Sequence, residues 1–96
     1  LSTQKGVRAG YLLDVSKAGS YQMIFKMHSG ENPFAQLPVS IFVNGVLQQT
    51  TTFNGTDNKI IERAVTISLP ESGENQLTLF FGESGVRMDE ILLVQE

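Results

Sequence analysis

The chain has 96 residues, of which 41% are apolar and 18% are charged. That length suits one domain, and the apolar share is too high for a disordered chain. Seven Lys and Arg residues oppose ten Asp and Glu residues, so the net charge of −3 argues against a nucleic-acid partner. The absence of cysteine excludes disulfides, thiol catalysis and zinc–thiolate sites. No apolar run reaches the roughly 18 residues of a membrane span, so we expect no membrane partner.

Apolar residues recur at every second position along most of the chain, which is typical of strands with one buried face. The clearest stripe is Tyr21, Met23, Phe25 and Met27, and we predict that it lies in the core. Turn residues separate the alternating segments, and Asn44-Gly45 is a strong hairpin signal. The predicted strands cover about 10–15, 20–28, 38–44, 46–53, 60–69, 76–81 and 87–94. The predicted fold is therefore all-β, an antiparallel, jelly-roll-like β-sandwich with about seven strands.

Strands that reverse direction in turn place alternate connections at opposite ends of a sandwich. One end should hold the tight turns at 16–19, 44–45 and 70–75. The other should hold the segment before Gly10 and the longer loops at 29–37, 54–59 and 82–86. Because binding residues concentrate in loops on a rigid scaffold, we expect the functional site at the second end.

Four segments resemble, in order, the motifs of carbohydrate-binding modules of families 6 and 35. They are Tyr11-Leu-Leu-Asp-Val-Ser-Lys-Ala-Gly-Ser-Tyr21, Val39-Ser-Ile-Phe-Val-Asn-Gly45, Val65-Thr-Ile-Ser-Leu-Pro70 with Gly73-Glu-Asn-Gln-Leu77, and Val86-Arg-Met-Asp-Glu-Ile91. The resemblance covers about residues 10–94. It implies a jelly-roll β-sandwich attached to a secreted polysaccharide-degrading enzyme.

The chain departs from these families in three ways. Their two further N-terminal strands supply acidic residues that hold a structural calcium together with an aspartate at the position of Asp89. Asp89 is thus a weak calcium candidate, but calcium needs six to eight oxygen ligands and Asp89 offers at most two. We therefore expect neither a complete calcium site nor another cofactor within this chain. The families' tyrosine–tryptophan sugar platform is incomplete because the chain has no tryptophan. Their ligand-contacting asparagine in the closing strand corresponds to Arg87.

Sugar binding uses flat apolar faces together with amides or charged groups for the hydroxyls. At the end with the longer loops, the candidate ligand-binding residues are Phe34, Asn54, Asn58 and Arg87, and Tyr11, near the beginning of the first strand, is an outside candidate. Phe34, between two prolines, is either a stacking platform or a loop anchor folded onto the core. Asn54 and Asn58 either contact the ligand or stabilise turns.

Two charged positions also have alternative interpretations. Arg87 either forms a bidentate pair with the carboxylate of an acidic sugar or pairs with Glu83 or Glu90. His28 is expected to be solvated or to cap a strand end, because the chain has no second His and no Cys to complete a metal site.

The sequence contains little that indicates catalysis. His28 is the only histidine, and no G-x-S-x-G nucleophile elbow is present.

We predict a single domain over 1–96 that is a non-catalytic carbohydrate-binding module, excised from a larger secreted, cell-surface or periplasmic bacterial protein. Its expected partners are a glycan or polysaccharide and a neighbouring catalytic domain in the same parent chain. The alternative is a structural spacer or protein-interaction domain with a degenerate sugar site, whose exposed strand edges pair with another strand.

Overall fold

A computed structural model describes residues 5–96, which form seven β-strands and contain no helix. The strands are β1 (Arg8–Val15), β2 (Gly19–His28), β3 (Gln36–Val43), β4 (Val46–Asn54), β5 (Ile61–Leu69), β6 (Gly73–Phe81) and β7 (Arg87–Gln95). The predicted all-β class and strand number are confirmed. The largest difference in bounds is at β6, which begins at Gly73 and not at residue 76.

The early start of β6 has a local cause. Gly73 and Asn75 have the composition of a turn, yet the backbone at both positions pairs with β1, with Gly73 opposite Val15. The buried Asn75 side chain accepts a hydrogen bond from Asn44 Nδ2 at 3.0 Å and donates one to the Glu71 carbonyl at 2.8 Å. These partners satisfy a polar side chain inside the sandwich, so Asn75 supports the strand although its type favours turns.

The strands form two antiparallel sheets, one in the order β1-β6-β3-β4 and the other in the order β5-β2-β7. Alternate residues of both sheets point into one shared core, and the predicted stripe on β2 is fully buried. Across the core, the rings of Phe25 and Phe53 meet edge to face, with centroids 5.9 Å apart and planes at 86°. Such T-shaped pairs are a favoured aromatic arrangement and help to fix the spacing of the sheets.

One side of the sandwich, between β4 and β5, is closed by long side chains of β4. Gln48 donates from Nε2 to the Ser68 carbonyl at 2.5 Å and accepts from the Ser68 amide at 2.9 Å. Gln49 donates to the Thr66 carbonyl at 2.6 Å. These bonds occupy backbone groups of a strand edge that would otherwise be free to pair with another chain.

Arg63 of β5 reinforces the same side. Its guanidinium lies 4.7 Å from the centroid of the Phe53 ring and donates to the Thr52 carbonyl at 2.5 Å. The arginine thus covers an aromatic ring of the core while its charged head bridges to β4.

The opposite side, between β1 and β7, is not covered by any strand of the part of the chain that the structure describes. A cavity of about 370 Å³ lies there, lined by Tyr11, Leu13, Leu77, Met88, Asp89, Glu90 and Ile91. No strand of residues 5–96 pairs with the outer edge of β1 or with that of β7. The two sides of the sandwich therefore differ: one is sealed by side-chain bonds and the other is a groove between two strand edges.

Within residues 5–96 the predicted division of the loops between two ends is confirmed; residues 1–4 of the segment before Gly10 lie outside the described residues. At the tight-turn end, Asn44 Oδ1 accepts from the Gln76 amide at 2.8 Å, which joins the 44–45 turn to the strand that follows the 70–72 turn. At the other end, the backbone amide of Asp57 donates to the carbonyl of Glu31 at 3.0 Å. A side chain at Gly85 would touch Glu31 at 3.3 Å, so the 82–86 loop lies against the same cluster.

Candidate functional site

The site is built on two loops, 29–35 and 54–60, that interlock at one end of the sandwich. Three backbone hydrogen bonds join them: Gly55 N to Ala35 O at 3.1 Å, Asp57 N to Glu31 O at 3.0 Å, and Asn58 N to Ser29 O at 2.7 Å. The Thr56 hydroxyl accepts from the Ser29 amide at 2.9 Å and donates to the Ser29 carbonyl at 3.1 Å. Because Thr56 and Ser29 are buried, this pairing satisfies backbone groups away from water and holds the loops together.

Gly55 is required by the close approach of these loops. A Cβ atom at Gly55 would lie 1.9 Å from the Asn32 carbonyl oxygen and 2.5 Å from that of Glu31. Both are backbone atoms, which cannot rotate away as the end of a side chain would. The two loops therefore form one rigid surface and not two independent flaps.

Phe34 projects from this surface. Its side chain is 91% exposed, which excludes the alternative of an anchor folded onto the core. The Asn32 side chain accepts from the Phe34 amide at 2.9 Å, an Asx-type turn that fixes the backbone beneath the ring. A held but uncovered aromatic ring is a flat apolar face available for a ligand.

The two asparagines have different positions. Asn54 ends β4 and donates from Nδ2 to the Pro33 carbonyl at 3.0 Å, so it ties its own loop to the one that carries Phe34. Asn58 adopts a left-handed backbone conformation with φ of 66°, as the turn interpretation of this residue predicts. The side chains of both residues remain at the surface, beside Pro33 and Gly30 respectively.

Arg87 is the first residue of β7 and lies directly opposite His28 of β2. The side chain is exposed, and within residues 5–96 it forms no ion pair. The two acids that sequence reasoning offered as partners are bound elsewhere: Glu83 to Lys5 at 3.7 Å and Glu90 to Lys26 at 3.3 Å. The guanidinium is therefore available at the edge of the loop cluster.

Tyr11 lies apart from the loop cluster. It occupies the middle of β1, opposite Leu77, and lines the cavity on the open side of the sandwich. The structure therefore brings Phe34, Asn54, Asn58 and Arg87 to one end, and places Tyr11 along a side.

His28 has a partner that sequence reasoning missed. The β2–β7 register shifts between Lys26 and Met27, so Lys26 faces Glu90 and Met27 faces Met88. Asp89 is the extra residue of this bulge, and its Oδ2 lies 2.7 Å from His28 Nδ1. Bulges re-aim side chains in this manner, and no periodic pattern in the sequence reports them.

Asp89, the weak calcium candidate that the family resemblance implies, lies at the surface of β7. One of its two carboxylate oxygens is engaged by His28. Residues 5–96 contain no group of three or more His, Cys, Asp or Glu side chains placed to hold a metal ion. Calcium requires six to eight oxygen ligands, of which Asp89 would supply at most two.

Residues 5–96 contain no helix long and apolar enough to span a membrane.

Comparison with known structures identifies the fold. A family 35 carbohydrate-binding module from an environmental isolate superposes with a TM-score of 0.85 at 18% identity, over 99% of this chain and 70% of that one. This chain has the fold of a family 35 carbohydrate-binding module. A family 35 module from Clostridium thermocellum gives a TM-score of 0.84 at 21% identity, over 97% of this chain and 73% of that module. The resemblance drawn from the sequence motifs is confirmed at the level of fold.

Comparison of sequences connects the chain to an enzyme. It is 32% identical over 92 residues to a beta-glucosidase from Ruminococcus albus. The match covers 96% of this chain but only 10% of the beta-glucosidase, so the matching domain is a small part of that enzyme. No family model matches the chain.

Proposed function

We propose that this chain is a non-catalytic carbohydrate-binding module that holds an attached polysaccharide-active enzyme close to its glycan. The observation that carries the proposal is the 91% exposed ring of Phe34 on a surface made rigid by two interlocked loops. A soluble domain gains nothing in stability from an uncovered phenylalanine, whereas the C–H face of a sugar ring would stack on it. Tethering the enzyme would raise the local concentration of its substrate.

The free guanidinium of Arg87 favours an acidic sugar as the ligand. Arginine presents parallel N–H donors that match a carboxylate in a bidentate pair, and within residues 5–96 no carboxylate already occupies this one. A single exposed site buries little area, so we expect a dissociation constant of roughly 10 μM to 1 mM.

The acids near the site are poorly placed for catalysis. Glu83 and Glu90 are solvent-exposed and each lies beside a lysine ammonium. A general acid in glycoside cleavage works in a cleft shielded from water, whereas both carboxyl groups lie at the surface. Catalysis would therefore be carried out by the attached domain. The sequence relative suggests a beta-glucosidase as the class of parent protein. A secreted or cell-surface location in a bacterium accords with this role.

Binding of acidic and neutral oligosaccharides tests this proposal, with the Arg87→Ala variant as the main perturbation. The wild type should bind a glucuronic acid-containing disaccharide in titration calorimetry, and Arg87→Ala should abolish that binding. Unfolding free energy should change by less than about 1 kcal/mol, because the side chain is exposed. Lys17→Ala is the matched control, since it removes one exposed positive charge from the opposite end. Equal binding by wild type and Arg87→Ala would show that the closing-strand residue is not part of the site.

The open side between β1 and β7 favours a second candidate function, that of a protein-interaction domain. Within residues 5–96, no strand pairs with the outer edges of β1 and β7, and these two strands flank a cavity with apolar residues such as Leu13, Leu77 and Ile91. An extended segment could add to either edge by main-chain hydrogen bonds. An array of acidic and neutral glycans, with and without calcium, separates the candidates: binding to none of them would favour the interaction domain.

A further inference from the structure

The position of His28 gives it access to the proposed glycan site. His28 is the last residue of β2, and Arg87 is its direct cross-strand neighbour. Residues directly opposite in antiparallel strands have Cβ atoms about 5 Å apart, so one ligand can touch both side chains. Ser29, the next residue, accepts the backbone bond from Asn58 at 2.7 Å, which brings the second loop to the same strand end.

The hydrogen bond to Asp89 fixes which nitrogen of the neutral His28 ring carries the proton. The Asp89 carboxylate accepts, so Nδ1 carries the proton in the 2.7 Å contact. In the neutral ring Nε2 is then an acceptor. Within residues 5–96, Nε2 has no hydrogen-bond partner. Every buried side-chain nitrogen or oxygen atom of these residues does have a partner, so Nε2 is not a buried atom. Nε2 is therefore open to solvent.

The His28 ring is partly buried and is oriented by its contact with Asp89. Its side chain is 23% exposed, and the carboxylate that orients it comes from a bulge that breaks the regular β2–β7 register. The neighbouring charge on the same face, Lys26, is bound to Glu62 and Glu90 at 3.5 and 3.3 Å and does not compete for the ring. The oriented His28 ring and the Arg87 side chain thus extend from directly opposite positions of β2 and β7.

We propose that His28 is a further ligand-binding residue, whose Nε2 accepts a hydrogen bond from a glycan hydroxyl next to the group bound by Arg87. Asp89 is the positioning residue that sets the ring orientation and the tautomer. This inference rests on the proposed carbohydrate-binding function and adds to it a hydroxyl-recognising group. The pair of side chains would select a sugar with a hydroxyl close to its carboxylate over one with the carboxylate alone.

Calorimetric titration with a glucuronic acid-containing disaccharide tests the inference in the full chain. His28→Ala should weaken binding about tenfold, the loss expected for one hydrogen bond. Asp89→Asn should weaken it about threefold to tenfold while the melting temperature stays close to that of the wild type. Gln22→Ala is the matched control, because Gln22 lies on the same face of the same strand, about 20 Å away.

A nitrogen-15 NMR titration of the wild type supplies a readout that a purely structural role would not move. The disaccharide should shift the His28 Nε2 resonance, and the free protein should show the tautomer protonated at Nδ1. An unmoved Nε2 resonance, or unchanged affinity in His28→Ala while the wild type binds, would overturn the inference and leave the proposed function intact. If the wild type binds neither this disaccharide nor any glycan on an array, both are refuted together.

Discussion

Replacement of Phe34 by alanine is the sharpest test of the loop-end surface. The ring is 91% exposed, so its removal creates no cavity and breaks no packing. The backbone turn beneath it depends on Asn32 and on the Phe34 amide, both of which alanine leaves in place. The unfolding free energy should therefore stay within about 0.5 kcal/mol of the wild type.

The effect of Phe34→Ala on binding should be much larger. A phenylalanine side chain buries at least about 150 Å² when fully covered, and a sugar stacked on one face covers about half of that. At about 25 cal/mol per Å², the loss is about 2 kcal/mol, or roughly thirtyfold in the dissociation constant. Calorimetry against a binding glycan measures this loss, and Phe34→Tyr should retain most of the affinity. Wild-type affinity in Phe34→Ala would refute the assignment of this ring as the platform.

Three further predictions concern stability. Gly55→Ala should destabilise the fold by about 2–3 kcal/mol in urea unfolding, since the new Cβ would lie 1.9 Å from a backbone oxygen. An unchanged unfolding midpoint would contradict the close contact of the two loops at Gly55. Arg63→Ala should cost about 1–2 kcal/mol through loss of the contact with Phe53 and the bond to β4, whereas Arg63→Lys should recover only part of it. Hydrogen bonding to and attraction by Glu90, then Glu62, raise the pKa of Lys26 above its ordinary value of 10.5. Because the pKa of Lys26 is higher in the folded protein than in the unfolded chain, its charge stabilises the fold at pH values below the unfolded-state pKa. This stabilisation is lost as the pH rises through the folded-state pKa. Between pH 9 and 12, the unfolding free energy of Lys26→Met should therefore fall less than that of the wild type.

Alternation of apolar and polar residues was sufficient to predict the core strands. The stripe on β2 and the inward residues of β3 and β6 are buried as the period of two requires. Turn composition gave its largest error where a polar residue is satisfied inside the sandwich, as Asn75 is by Asn44 and Glu71. A side chain's partners depend on the fold, and local residue types do not report them.

The candidate site was only partly predictable, because its geometry depends on contacts distant in sequence. The alternating direction of successive strands predicted which loops share an end. It did not predict that Gly55 leaves room for the 29–35 loop or that Phe34 stays uncovered. His28 and Asp89 are 61 positions apart, and their contact depends on a one-residue bulge. Sequence patterns specify which face a residue occupies in a regular strand, and a bulge changes that face.

An amide NMR titration of the wild-type chain with a glucuronic acid-containing disaccharide would locate the glycan site residue by residue. We predict saturable shifts concentrated in the loops at 29–35, 54–60 and 82–86 and at Arg87, with the tight turns at the opposite end unaffected. Shifts confined to the β1–β7 cavity or to the 44–45 turn, or no shifts at millimolar sugar, would contradict it.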